Sequence, residues 1–205
     1  MSDDRDQILP AGDGTAAVPG ARVSVTDVSL VATFAAVIAV GSLVAVPVGG
    51  APVPVTLQTF AVLLAGAVLG ARRGLLAVLL YLAVGLAGLP VFAQGFGGPA
   101  VLGRPTLGYL LAFPLAAWVV GAAAERSARS TWGVRAGMLV AGGVLASLVV
   151  YAVGVPVLAA RTAMTLGEAI AFNSIFIPFD AVKLGLAVLV ATSVHRAFPD
   201  LLPRR

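Results

Sequence analysis

Two charged side chains of opposite sign, Asp180 and Lys183, lie three residues apart in an apolar stretch near the end of the chain. Residues at this spacing share one face of a helix and can contact each other. Either charge costs roughly 2.5–3.5 kcal/mol to place in the middle of a membrane helix, so both should face a bundle interior or a cavity. Lys183 is also the only lysine in the chain.

Asn173 precedes Asp180 by seven residues and is expected to face nearly the same way, with a kink at Pro178 between them. Two interpretations of the charged pair are open. In the first, it is a structural ion pair that holds helices together. In the second, the carboxylate and the ammonium group bind a polar ligand that carries hydrogen-bond donors next to an acceptor.

The other reactive residue types argue against an enzyme. A nucleotide-binding P-loop needs Gly-Lys-Ser/Thr, whereas Lys183 is flanked by Val182 and Leu184. The single histidine, His195, is expected at the end of the last helix as an interfacial residue, and the chain has no cysteine. One histidine without cysteine does not make a zinc site. The sequence therefore predicts no catalytic residue, no metal and no cofactor.

Composition predicts a protein surrounded by lipid. Of the 205 residues, 60% are hydrophobic and 11% are charged, whereas roughly a quarter of a soluble domain is charged. The net charge of +4 comes from arginines that stand singly or in pairs between apolar runs. This pattern is typical of membrane topology, and it argues against nucleic acid as a partner.

About 20 apolar residues are needed to cross the hydrocarbon layer. The apolar runs of the sequence predict an all-α, polytopic membrane bundle of about six transmembrane helices. A break between the second and third helices is predicted at Arg72-Arg73-Gly74. The predicted spans are Val28–Val48, Val55–Gly70, Gly74–Phe92, Leu107–Ala124, Val134–Leu158 and Glu168–Val194. Residues 1–22 are predicted to be a flexible cytoplasmic tail, residues 23–197 the bundle, and residues 198–205 a short cytoplasmic tail.

The arginines predict the orientation of this bundle. Six helices place ten arginines on the side of both termini and two, Arg104 and Arg161, on the other side. Cytoplasmic loops carry the excess of basic residues. Both termini are therefore expected in the cytoplasm of a cell whose plasma membrane holds the bundle, and the glycine-rich loop 93–105 is expected to face outward.

Two further stretches could form contacts. The first predicted helix carries alanines at four-residue spacing, Ala32 to Ala36 and Ala35 to Ala39, which permits close approach of another helix. The outer loop combines glycines with aromatic and polar residues that could line a ligand site, although an ordinary flexible connection remains the alternative. These residues are Phe92, Gln94, Phe96, Arg104, Thr106 and Tyr109.

Several runs together resemble the BioY family of biotin-specific substrate-binding subunits of energy-coupling-factor transporters. They are VPVTLQTFAVLLAGAVLG (53–70), Arg72-Arg73-Gly74, YLAVGLAGLPVF (81–92), GGPA (97–100), PTLGYL (105–110) and FIPFDAVK (176–183). The likeness covers about residues 25 to 197.

The resemblance implies a six-helix bundle that holds biotin near the outer face. Asp180 and Lys183 match the family signature Pro-x-Asp-x-x-Lys, whose acid and base are expected to bind the ureido ring. Phe92 and Tyr109 would contact the apolar part of biotin. The alanines of helix one would contact a transmembrane coupling subunit, which connects to two cytoplasmic ATPase subunits. The expected ligand-binding set is Asp180, Lys183, Asn173, Tyr109, Phe92, Gln94 and Arg104.

The chain departs from the family pattern at four positions. Arg104 and Leu107 stand where members often carry glycine, and Leu110 stands where some members carry an arginine. Arg104 is the candidate partner for the biotin carboxylate, because it is one of two basic residues expected on the outer side. Phe179 replaces a common glycine beside Asp180, which predicts a narrower pocket. The alternatives to a biotin subunit are a capture subunit for another vitamin and a structural membrane protein that transports nothing.

Overall fold

The computed structural model describes residues 24–46 and 53–202, which are mostly helical. The helices are α1 (Val25–Leu43), α2 (Gln58–Leu69), α3 (Ala71–Leu86), α4 (Leu107–Arg126), α5 (Trp132–Thr162), α6 (Leu166–Ser174) and α7 (Phe176–Ala197). Two short strands, β1 (Ala45–Val46) and β2 (Val55–Thr56), pair antiparallel. Among the described residues, α1, α4, α5 and α7 are each long and apolar enough to cross a membrane. The all-α membrane class is therefore confirmed.

The sixth predicted span is two helices instead of one. Helix α6 begins at a capping box, in which Thr165 and Glu168 each bond the other's backbone N–H. It ends at Ser174, and Pro178 lies in the first turn of α7. Proline is tolerated there because the first N–H groups of a helix have no partner within the helix. The prediction of one continuous helix from Glu168 to Val194 was wrong for this reason.

The break predicted at Arg72-Arg73-Gly74 was also wrong, because one residue, Gly70, separates α2 from α3. Gly70 has φ +84°, which glycine adopts without steric cost. Its N–H donates to the Gly66 carbonyl at 2.9 Å, and its own carbonyl accepts from Gly74 at 3.0 Å. The two arginines consequently lie in the first turn of α3.

Helix α2 is the centre of the bundle, and every residue from Ala61 to Leu69 is buried. It packs against α1, α3, α4 and α7. Its 12 residues extend only about 18 Å, so it is shorter than the hydrocarbon layer of about 30 Å. At Gly66 an added Cβ would lie 2.2 Å from the carbonyl oxygen of Ala117. The absence of a side chain at Gly66 therefore lets α2 and α4 touch backbone to backbone.

One end of the bundle is tied together by polar contacts from several elements. Arg73 forms an ion pair with Asp27 of α1 at 2.5 Å and donates to the carbonyl of Leu201 at 2.7 Å. Glu125 at the end of α4 accepts from the backbone N–H of Ala71 at 2.9 Å. We call this the arginine end. The predicted tail 1–22 and residues 203–205 lie outside the described residues.

The sides of the bundle are apolar, as a lipid environment requires. Large hydrophobic side chains on α5 and α7 are more than half exposed, for example Leu148, Val182 and Leu189. Monomeric soluble proteins rarely expose apolar patches on this scale. The surface therefore agrees with the lipid-facing bundle expected from composition.

Candidate ligand-binding site

A cavity opens at the end of the bundle opposite the arginine end. Counted out to its open mouth and including the solvent there, the space is about 740 Å³. Its wall combines aromatic and aliphatic side chains with a few polar groups. They are Val53, Pro54, Thr56, Gln58, Thr59, Phe92, Ala93, Gln94, Phe96, Val101, Arg104, Thr106, Tyr109, Leu110, Phe113, Val150, Tyr151, Phe176, Asp180 and Lys183.

Asp180 and Lys183 contact each other in this wall. The Lys183 Nζ lies 2.9 Å from Asp180 Oδ1, and each side chain is only 8% exposed. The hydroxyl of Tyr151 on α5 donates to Asp180 Oδ2 at 2.6 Å. The ammonium has three donors and the carboxylate about four acceptor positions. The contacts among residues 24–46 and 53–202 use only part of this capacity, so the pair can bind a ligand that has both donors and an acceptor.

Tyr109 and Asn173 form a second polar contact beside the pair. The Tyr109 hydroxyl donates to Asn173 Oδ1 at 3.0 Å, and Asn173 is buried. Tyr109 belongs to the cavity wall, whereas Asn173 lies behind it. The ring rests on the backbone of α5, where a Cβ at Gly154 would come within 2.5 Å of it. Asn173 therefore holds Tyr109 in place and is not itself a wall residue.

The mouth of the cavity is formed by the loop between α3 and α4. The guanidinium of Arg104 lies 3.5 Å from the centre of the Phe96 ring and donates to Gln94 Oε1 at 3.2 Å. Gln94 has the left-handed backbone conformation, with φ +64°. Phe92 is buried, with its ring edge-on to Tyr81 at 5.5 Å. Phe92, Gln94 and Arg104 thus all lie in the wall, and Arg104 places a positive charge at the entrance.

Four polar wall residues were missed from the sequence: Thr56, Gln58, Thr59 and Tyr151. Tyr151 lies on a different helix from its partner Asp180, so spacing along the chain does not reveal the contact. Gln58 opens α2, is buried, and donates from Nε2 to the Tyr81 hydroxyl at 2.9 Å. A buried polar residue within a membrane protein is by itself a functional candidate, and that signal was present at Gln58.

The structure corrects the expectation for Phe179. This side chain is 49% exposed and lies with Val182 and Leu186 in a groove on the outside of α7. Since Asp180 and Lys183 point inward, the helical turn directs Phe179 away from the cavity. Phe179 therefore does not narrow the site.

The four alanines of α1 do not form one surface. Ala32 and Ala36 are exposed, whereas Ala35 is 7% exposed and packs in the core, and Ala39 is half-buried. The two pairs lie on different sides of the helix. Only Ala32 and Ala36 remain accessible to another protein.

Comparison with known proteins gives consistent matches. The BioY family model matches residues 15–200. A biotin transporter BioY of Rhizobium etli is 37% identical over 187 residues, which cover 89% of this chain and 100% of the relative. A biotin transporter BioY of Thermotoga maritima is 42% identical over 171 residues, which cover 80% and 92%.

A solved structure is also similar. It is the crystal structure, at 2.1 Å, of the S-component for biotin from an ECF-type ABC transporter. The TM-score is 0.75 at 29% sequence identity, and the alignment covers 84% of this chain and 92% of that chain.

Proposed function

Because this chain belongs to the BioY family, we propose that it is the biotin-binding S-component of an energy-coupling-factor importer. It is a multi-pass membrane transport subunit and not an enzyme. The observation that carries the choice of ligand is the buried pair of Asp180 and Lys183 in the cavity wall, with hydrogen-bonding capacity left over.

The ureido ring of biotin matches this pair. Its N–H groups donate to Asp180, and its oxygen accepts from Lys183, so that both charges stay compensated when water leaves the cavity. Tyr151 holds the carboxylate through its other oxygen. The thiophane ring and the valeryl chain then lie against the apolar part of the wall, which includes Phe92, Tyr109, Phe113, Val150 and Phe176.

The distribution of arginines supports the proposed orientation. Arg73 lies at the arginine end, and Arg126, Arg129 and Arg135 line one pocket with His195 near the last residues of α7. Arg104 lies at the cavity mouth. Since basic residues concentrate on the cytoplasmic side, the cavity opens outward and both termini are cytoplasmic. Biotin is then captured outside and released into the cytoplasm.

The partners of this subunit are a transmembrane coupling subunit and two cytoplasmic ATPases. The chain carries no P-loop, so ATP hydrolysis of that kind has to be supplied by other subunits. Ala32 and Ala36 offer a small-residue surface on α1 for a helix of the coupling subunit. Ala35 and Ala39, which face the bundle, are left out of this docking surface.

Calorimetry on the detergent-purified protein tests the ligand. Biotin should bind saturably at one molecule per chain, and neither riboflavin nor thiamine should compete. Saturable binding of riboflavin or thiamine without binding of biotin would assign the chain to another vitamin. No binding of any of the three, together with unfolding when the charged pair is neutralised, would favour the structural role.

We expect Arg104→Gln to separate recognition of the carboxylate from recognition of the ring. Loss of an ion pair at a half-exposed site costs about 1 kcal/mol, so the Kd for biotin should rise about fivefold. Biotin amide, which has no carboxylate, should bind the variant and the wild type equally. An equal loss for both ligands would show that Arg104 acts on the loop and not on the carboxylate.

A further inference from the structure

A second pocket lies at the arginine end, far from the biotin cavity. It is formed by the end of α4, the start of α5, the last turn of α7 and the segment after it. We call it the arginine pocket; its lining residues are Ala71, Trp118, Ala122, Glu125, Arg126, Ala128, Arg129, Arg135, His195, Pro199 and Leu202.

The arginine pocket is positively charged, with three arginines against one glutamate. Arg135 is fixed, because its guanidinium donates to the carbonyls of Ser127 and Ala128. Arg126 and Arg129 are exposed, and within residues 24–46 and 53–202 no hydrogen bond or ion pair engages their side chains. Two guanidinium groups thus remain able to bind an anion beside the fixed one.

His195 adds a buried polar group to the same wall. It is 4% exposed, and its Nε2 lies 3.2 Å from the carbonyl oxygen of Val68. In the part of the chain that the structure describes, its Nδ1 is buried without a hydrogen-bond partner. With Nε2–H bonded to Val68, Nδ1 of the neutral ring is an acceptor, so the arginines and not His195 bind the anion.

An apolar stripe on α4 leads away from this pocket along the bundle. Trp118, which lines the pocket, is 44% exposed, and Leu115 and Leu111 are 49% and 58% exposed. Their spacing of three and four residues places them on one face of the helix. A free phosphate ion would make no contact with this apolar stripe. An acyl chain attached to a phosphate head group would pack along it. Tryptophan is also enriched at the level of the head groups.

We propose that the arginine pocket binds the phosphate of an anionic phospholipid, whose acyl chain packs on Leu115 and Leu111. Arginine binds phosphate through charge-assisted, often bidentate hydrogen bonds. Basic pockets between membrane helices are known to take acidic lipid head groups. The site is independent of the biotin cavity, and it anchors the ends of α4, α5 and α7 to the lipid surface.

Native mass spectrometry of the protein in non-ionic detergent tests this proposal. The binding of phosphatidylglycerol is compared with that of phosphatidylcholine with identical acyl chains. Inorganic phosphate is added as a competitor to test whether a free anion occupies the pocket. We expect phosphatidylglycerol to bind about tenfold more tightly than phosphatidylcholine, because the arginines of the pocket attract the net negative charge that phosphatidylglycerol carries and phosphatidylcholine lacks. Inorganic phosphate should not compete at equal concentration.

The variant Arg126→Gln/Arg129→Gln should lose most of this preference. Its matched control, Arg72→Gln/Arg196→Gln, removes the same charge from exposed residues outside the pocket and should keep the preference within twofold. If the double variant does not fold, Arg129→Gln alone should lower phosphatidylglycerol affinity by about threefold. Equal binding of both lipids, an unchanged pocket variant, an equal loss in the control, or competition by phosphate would each overturn the proposal.

Discussion

Lys183→Met and Asp180→Asn are each expected to weaken biotin binding by well over tenfold. Each change removes a hydrogen bond to the ureido ring and leaves the opposite charge buried without its partner. A hydrogen bond from the ligand to a charged group contributes about 1.5–3 kcal/mol to binding, and both side chains here are only 8% exposed. The charge that is left unpaired lowers the stability of the fold as well. Calorimetry with detergent-purified variants measures the change in Kd.

Two further variants separate recognition from folding. The double variant Asp180→Asn/Lys183→Met removes both charges together, so it should unfold at a higher temperature than either single variant while still failing to bind biotin. Tyr151→Phe keeps the ion pair and removes one hydrogen bond to Asp180. Since a hydrogen bond to a charged group contributes about 1.5–3 kcal/mol, an intermediate loss of affinity is expected.

Wild-type affinity in both single variants would remove these residues from the biotin site. The structural role of the pair would be favoured if the single variants unfold while the folded double variant binds biotin as the wild type does.

Gly66→Ala is expected to destabilise the bundle strongly. An added Cβ would lie 2.2 Å from the carbonyl oxygen of Ala117 and 2.6 Å from a methyl group of Val120. Because the first of these atoms belongs to the backbone of α4, the two helices have to separate. Overpacking typically costs 1–3 kcal/mol and occasionally more. Thermal unfolding in detergent should show a clear fall in Tm.

Gly185→Ala is the matched control for this change. Gly185 lies within α7, and nothing lies within 4 Å of the position that its Cβ would take. Alanine is the better helix former by about 1 kcal/mol, so this variant should be as stable as the wild type or more so. Biotin affinity should also fall in Gly66→Ala alone, since α2 carries Gln58 and α4 carries Tyr109 of the cavity wall. Equal Tm values for the two variants would contradict the close contact of α2 with α4.

Much of the candidate site could be predicted from charged and polar residues that interrupt or border apolar runs. An acid and a lysine inside an apolar run have to face inward, and the structure brings Asp180 and Lys183 together at 2.9 Å. Phe92, Gln94, Arg104 and Tyr109 were expected around the ligand and lie in the cavity wall. Asn173 was expected beside them and instead lies behind Tyr109.

The sequence alone determined that the chain is a helical membrane bundle with an inward-facing charged pair, and it identified the family. The bundle and the inward-facing pair follow from the transfer free energy of each residue from water to lipid, which is a local quantity that can be read along the chain, whereas the family follows from the matching motifs. The tertiary structure decided which distant side chains meet, such as Tyr151 with Asp180, and that Phe179 and Ala32 face outward. It also decided that Gly70 alone turns the chain. An apolar side chain has the same hydropathy whether it faces lipid or a neighbouring helix. Only the packing of the helices could therefore determine these contacts.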